Sequence, residues 1–264
     1  MQDAFIVSAL RTPIGKKKGA LSPMHPADLG AVVLSATFDQ VPLDPGLVED
    51  VIFGCVDTVG PQAGDIARTC WLAAGLPEHV PGTTVDRQCG SSQQAVHFAA
   101  QAIMSGTSDV IVAGGVQNMN LIPISYAMLA GQALGFSDPF SGSKGWVKRY
   151  GNKEVSQFNS AQMIAEKWKI SRLEMENYAY QSHQKAINAI EKGLFNNEIV
   201  PVGDFSIDET PRAETSLEKM ASLNPLIEGH DITAAISSQN ADASSAILIV
   251  SEKILIEHNL SPLA

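Results

Sequence analysis

The sequence predicts an α/β fold with helices packed on a mostly parallel sheet, interrupted by a mainly helical insertion. Three observations predict it. Apolar runs that suit buried strands alternate with helical patterns from Ala4 to Gly115, the order expected of helices layered on a mostly parallel sheet. The alternation breaks after Met119, where Gly, Ser, Pro and aromatic residues dominate with no sustained period. A last apolar run, "SSAILIVSE" from Ser244 to Glu252, returns to the strand pattern.

The elements follow in order. "DAFIVSALRTPIG" begins with an apolar run, Ala4 to Val7, that suits a buried strand and ends before Gly15 and Lys16-Lys17-Lys18. Pro26 and Asp28 open a helix that lines up Leu29, Val32, Val33 and Ala36. "VEDVIFGCV" is a second strand; "DIARTCWLAAGLP" is a helix stopped by Gly75 and Pro77. "GTTVD" is a short strand leading into a helix after Cys89, with Ala95, Ala99, Ala102 and Ile103 inward. "SDVIVAGG" is a buried strand. Residues 121–155 read as loops and short helices. A firmer helix places Phe158, Ala161, Ile164, Ala165 and Trp168 at helical spacing. The next opens on a capping box, Ser171 with Glu174, and continues through Tyr178, Ser182, Ala186 and Ile190 to Gly193. "NNEIVPV" is a short strand and "KILIEHNL" a short helix. The predicted layout is a core of residues 1–118 and 238–264 around an insertion of residues 119–237.

Composition bounds the function. A chain of 264 residues that is 45% hydrophobic and 17% charged is an ordered globular protein with a sizeable core. A formal net charge of −10 argues against nucleic acid as the main partner, since phosphate backbones need a basic surface. Cys55, Cys70 and Cys89 lie far apart and form no C-x-x-C pair, so neither zinc nor a disulfide framework is expected. No run is long enough to span a bilayer, and Asp3 interrupts any signal-peptide pattern. The expectation is a cytoplasmic protein without a bound metal.

"TVDRQCGSSQQAVHFAAQAIMSG" sets Cys89 at the mouth of a helix. The positive end of the helix dipole and unpaired N–H groups favour thiolate, the nucleophilic form. Gly90, Ser91 and Ser92 leave room for a carbonyl, and backbone N–H groups there suit a developing oxyanion. On position alone, a small buried packing residue is the commoner reading, since free cysteine is among the most buried residue types. Cys55 and Cys70 read as packing residues.

Longer motifs carry a family resemblance. "VDRQCGSSQQAVHFAAQAIMSGTSDVIVAGGVQNM" resembles the nucleophile segment of the thiolases. "RTPIGKKKGAL", "SRLEMENYAYQSHQKAINAIEKGLFNNEIVPV", "TSLEKMASLNP" and "DITAAISSQNADASSAILIVSE" resemble further thiolase landmarks in the same order. The resemblance implies a layered α/β/α core with a mixed, mostly parallel sheet and an inserted loop domain that cradles coenzyme A. It implies an acyltransferase that interconverts a 3-ketoacyl-CoA plus CoA with two shorter acyl-CoA molecules. Cys89 would carry the acyl group. Arg212 would lie near the nucleotide end of CoA, and Ala234 and Ser238 along the pantetheine. Coenzyme A is then a substrate, with no permanently bound cofactor, and the family's usual assembly is a homodimer or homotetramer.

Departures from the family pattern are specific. Gln157 and Phe158 stand where a His-Met pair is common. Gln117 replaces a glutamate, and Ala243 a glycine. The six histidines lack a Gly-His-Pro context, and no cysteine follows Cys89. The family's second half supplies those groups, so the chain resembles an N-terminal half that is inactive alone. The alternatives are a catalytically incomplete acyl-CoA-binding module and a more distant ketoacyl-condensing relative. Nucleotide-binding glycine motifs such as G-x-G-x-x-G after a strand are absent.

Overall fold

The computed structural model describes residues 2–264. They form two compact units: residues up to Tyr126 with Phe195–Glu209 and Asn240–Ala264, and Ala127–Leu194 with Thr210–Gln239. The sequence-based boundaries differ from this division by a few residues at the ends of the insertion and by one returning segment, 195–209.

The first unit is built on one sheet. Its strands are β1 (Ala4–Arg11), β2 (Gly15–Lys16), β3 (Asp50–Gly54), β4 (Gly82–Val85), β5 (Val110–Asn118) and β6 (Ala241–Ser251). The order is β1-β6-β5-β3-β4, with β2 also on β6. β3 runs parallel to β4 and β5, but β6 runs antiparallel to β1, β2 and β5. The sheet is therefore mixed and mostly parallel in strand direction, as expected: β1 to β5 run one way and β6 alone runs against them. The reason for that reversal is the entry of β6: a strand's apolar pattern records burial, not direction, and β6 arrives after the insertion from the opposite end.

Helices cover both faces. α1 (Pro26–Gln40) and α2 (Ile66–Ala73) pack on one side with Val51, Phe53, Val112 and Leu248. α3 (Ser91–Ser105) packs on the other with Ile52, Ile111, Ala113 and Ile249. The switch from Val51 and Phe53 on one side to Ile52 on the other is the period-two alternation of a strand buried on both faces. α1 buries Leu29, Val33, Leu34 and Thr37, so its buried face is turned slightly from the expected one. α3 buries Ala95, Ala99 and Ile103 as expected; the small side chains let it lie close on the sheet.

The segment "NNEIVPV" forms no strand. It forms one bridge to β1, where the Arg11 N–H donates to the Glu198 carbonyl and the Val200 N–H to the Arg11 carbonyl, both at 2.8 Å, and Val202 packs against the core.

The second unit begins near α4 (Tyr126–Leu129) and α5 (Lys144–Tyr150), and is then dominated by α6 (Gln157–Trp168) and α7 (Arg172–Glu191). The capping box at Ser171 and Glu174 is formed. α8 (Leu217–Ala221) is pinned to α7 by Arg172. Its guanidinium pairs with buried Glu176 at 2.7 Å and donates to the carbonyls of Met220, Ala221 and Leu223. Here the helical periodicity misleads. Phe158, Trp168 and Tyr178 are 41%, 64% and 79% exposed, while Gln162, Ala165 and Glu176 are the buried side chains of α6 and α7. α9 (Glu252–Glu257) closes the first unit, with Ser251 capping its first turn.

Candidate active site

Cys89 sits between β4 and α3 with its side chain exposed. Local hydrogen bonds build the turn that presents it. Gln88 adopts φ 50°, in the left-handed region, with its N–H donating to the Asp86 carboxylate at 2.9 Å. The buried Ser91 hydroxyl donates to the Gln88 carbonyl and accepts the Arg87 N–H at 2.8 Å. A non-glycine residue in this region is strained, and Asp86 and Ser91 hold it there. Gly90 is the N-cap of α3 and brings no side chain to occupy the first-turn N–H groups.

The sheet fixes where that helix begins. A Cβ on Gly54 would overlap the Ser92 backbone nitrogen, and one on Gly115 would overlap the Ser92 hydroxyl and the Gly54 carbonyl. Two glycines facing each other on β3 and β5 thus let the α3 N-terminus rest directly on the strand ends. The other two cysteines are buried. Burial pushes the Cys55 thiol up to about 12, with Asp86 and Asp57 adding to the effect. Cys70 is raised also, again chiefly by burial. Both stay thiols, as packing residues do.

The remaining predicted residues lie in the second unit. Arg212 and Ala234 line a cavity of about 550 Å³, together with His183, Lys219 and Gln239. Ser238 lines an adjoining one of about 680 Å³ that shares His183 and Gln239. Both are in the size range of small-molecule sites. The Arg212 backbone N–H donates to His183 Nδ1 at 3.2 Å, and its guanidinium reaches Gln239 Oε1 at 3.4 Å. Gln239 also donates to the Thr210 carbonyl at 3.0 Å. His183, Lys219 and Gln239 were not singled out in the sequence. A weak signal existed for His183, one turn after Ala179 on a helix face that also carries Tyr178 and Ser182. Among the described residues no three metal-ligating side chains converge.

The family model described as "Thiolase, N-terminal domain" matches residues 4–253. The chain belongs to the thiolase family. It is 56% identical over its whole length to a steroid 3-ketoacyl-CoA thiolase of Mycobacterium tuberculosis, of which it spans 66%. It is 35% identical to a 3-oxoadipyl-CoA/3-oxo-5,6-dehydrosuberyl-CoA thiolase of Escherichia coli, of which it spans 70%. The crystal structure of the Bacillus anthracis acetyl-CoA acetyltransferase superposes with a TM-score of 0.82 at 31% identity, covering all of this chain and 69% of that one. The chain thus spans about two thirds of the length of these thiolases. Gln117 on β5 stands directly opposite Ala243 on β6. The Gln117 carbonyl oxygen accepts the Val56 N–H at 3.0 Å, so the amide takes a structural bond at that position.

Proposed function

We propose that this chain is the acyl-accepting portion of a thiolase, with Cys89 as the acylated nucleophile and Arg212, Ala234 and Ser238 as CoA contacts. The observation that carries this reading is the exposed Cys89 at the uncapped start of α3. The thiolate attacks the 3-keto carbon of a 3-ketoacyl-CoA. The carbon–carbon bond between C2 and C3 breaks, and its electron pair passes to C2 of the departing acyl-CoA, which takes up a proton. The thiol of a second CoA then attacks the Cys89 thioester, gives up its proton, and leaves with the acyl group. The Gly90 and Ser91 N–H groups close the turn onto the Arg87 and Gln88 carbonyls, so the oxyanion formed in each attack calls on further N–H donors beside Cys89.

Coenzyme A acts as substrate, with no resident cofactor. Likeness to the mycobacterial relative, a steroid 3-ketoacyl-CoA thiolase, supports a 3-ketoacyl-CoA as substrate. Three free thiols and the lack of a membrane-spanning helix among the described residues fit a cytoplasmic setting. The exposed apolar residues of the second unit, such as Leu134 and Phe136, support assembly into a homodimer or homotetramer.

A second reading is an acyl-CoA-binding module without turnover. It is favoured by the histidine and cysteine inventory, since these 264 residues hold no Gly-His-Pro histidine and no cysteine after Cys89. General base catalysis contributes about 10²–10⁴-fold, so we expect acylation but little turnover from this chain alone. Intact mass after incubation with acetyl-CoA separates the readings. A shift of one acetyl group, lost in Cys89→Ala, supports the nucleophile; an unmodified wild type sinks it. Robust thiolysis of acetoacetyl-CoA would show that the base lies within these residues.

A further inference from the structure

We propose that His183 is a positioning residue for Arg212: its neutral imidazole holds the Arg212 backbone through Nδ1 and so sets the guanidinium in the cavity wall. This rests on the reading of that cavity as the site for the nucleotide end of CoA. The donor in this contact has no choice of role. A backbone N–H can only donate, so the contact from Arg212 N to His183 Nδ1 at 3.2 Å requires a lone pair on Nδ1. The ring is therefore neutral, with its proton on Nε2.

The placement makes the bond consequential. His183 is fixed on α7, a helix of 20 residues, whereas Arg212 lies on an irregular segment. That segment is also held by the bonds from Gln239 to Thr210, from Arg212 to Gln239 and from the Lys219 ammonium to the Glu214 carbonyl. His183 is also common to both cavities. Moving the Arg212 backbone would move the guanidinium that lines the smaller cavity.

Protonation would break the arrangement. A charged ring places N–H against N–H, and adds a second cation beside Arg212. The charged groups lining the cavities with His183 are Arg212 and Glu214 on the irregular segment, Lys219 on α8 and Glu174 on α7; the Tyr178 phenol is also there, and residues 234–239 contribute none. Burial, then the positive charge of Arg212, lowers the His183 pKa below its ordinary value, in keeping with the neutral form.

The alternative role is a direct one, with a protonated His183 as a phosphate partner, and the two roles differ in the sign of their pH dependence. The experiment compares coenzyme A binding by the 264-residue chain, by His183→Ala and by His183→Asn, across pH 5.5–8. Asparagine offers an acceptor near the Nδ1 position and does not titrate. Positioning predicts about tenfold weaker binding for the alanine variant, the worth of one hydrogen bond, and near-complete rescue by asparagine. Wild-type affinity should fall relative to His183→Asn as pH drops through the His183 pKa. Unchanged binding by the alanine variant, or a relative gain of wild-type affinity at low pH, would overturn the proposal. Nitrogen-15 spectra of the His183 ring provide an arm independent of CoA: a proton on Nδ1 at neutral pH overturns the positioning role. If wild type shows the Nε2–H tautomer but no CoA binding, the reading of the cavity fails while the His183–Arg212 bond stands.

Discussion

Arg11 and Asp208 form a two-pronged pair, Nη1 to Oδ1 at 2.8 Å and Nη2 to Oδ2 at 3.0 Å. The Asp208 side chain is 7% exposed, and its Oδ1 also accepts the Ile14 N–H. Arg11 Nε reaches Glu198 at 2.7 Å, and its guanidinium lies over the Phe195 ring. One arginine at the end of β1 thus binds both ends of the returning segment 195–209. Arg11→Ala should cost about 3 kcal/mol, the low end for breaking a buried pair, because the arginine itself is partly exposed. Lysine should not rescue it, having no fork to match the carboxylate. Chemical denaturation of the two variants provides the check; a loss below about 0.5 kcal/mol, ordinary for a surface change, would refute this account.

Gly115→Ala tests the seat of the helix that follows Cys89. The new methyl group has backbone on one side and the Ser92 hydroxyl on the other. Overpacking of this kind costs about 1–3 kcal/mol. It should also displace the start of α3, so alkylation of Cys89 in the folded variant should change in rate. Equal stability and equal labelling in variant and wild type would contradict the close approach.

The three thiols should divide cleanly. Iodoacetamide at pH 8 should modify Cys89 in the native protein and leave Cys55 and Cys70 untouched until the chain unfolds. Cys55 is buried with its pKa near 12, and Cys70 is buried and raised as well. Peptide mass mapping before and after denaturant reads the pattern. Native labelling of Cys70 ahead of Cys89 would be incompatible with this structure.

The start of α7 gives a pH-dependent prediction. Ser171→Ala removes the capping box and should destabilise by about 1 kcal/mol near neutrality. Glu174 is held below its ordinary 4.5 by hydrogen bonds from the Ser171 side chain and backbone. A lowered carboxylate stabilises the fold above the unfolded-state pKa and loses that contribution as pH falls through the folded value. Thermal unfolding curves of wild type and variant should therefore converge as pH drops below 4.5. A gap that widens with acid would have the wrong sign.

By itself the sequence determined the local structure and the family. Apolar runs marked β1, β3, β5 and β6, and small residues marked the buried face of α3. The capping box marked the start of α7, and the collinear motifs around Cys89 marked a thiolase. These are short-range signals, written within a few residues of what they specify. Tertiary structure decided what depends on partners distant in the chain. It set β6 antiparallel between β1 and β5, because an apolar run carries no direction. It drew residues 195–209 to the core through Arg11, a contact across nearly 200 positions. It left Trp168 and Tyr178 exposed, because helical spacing names a face without naming what covers it. It also brought His183 to the Arg212 backbone, 29 residues away in sequence, a hydrogen bond to a main-chain N–H that no side-chain motif records.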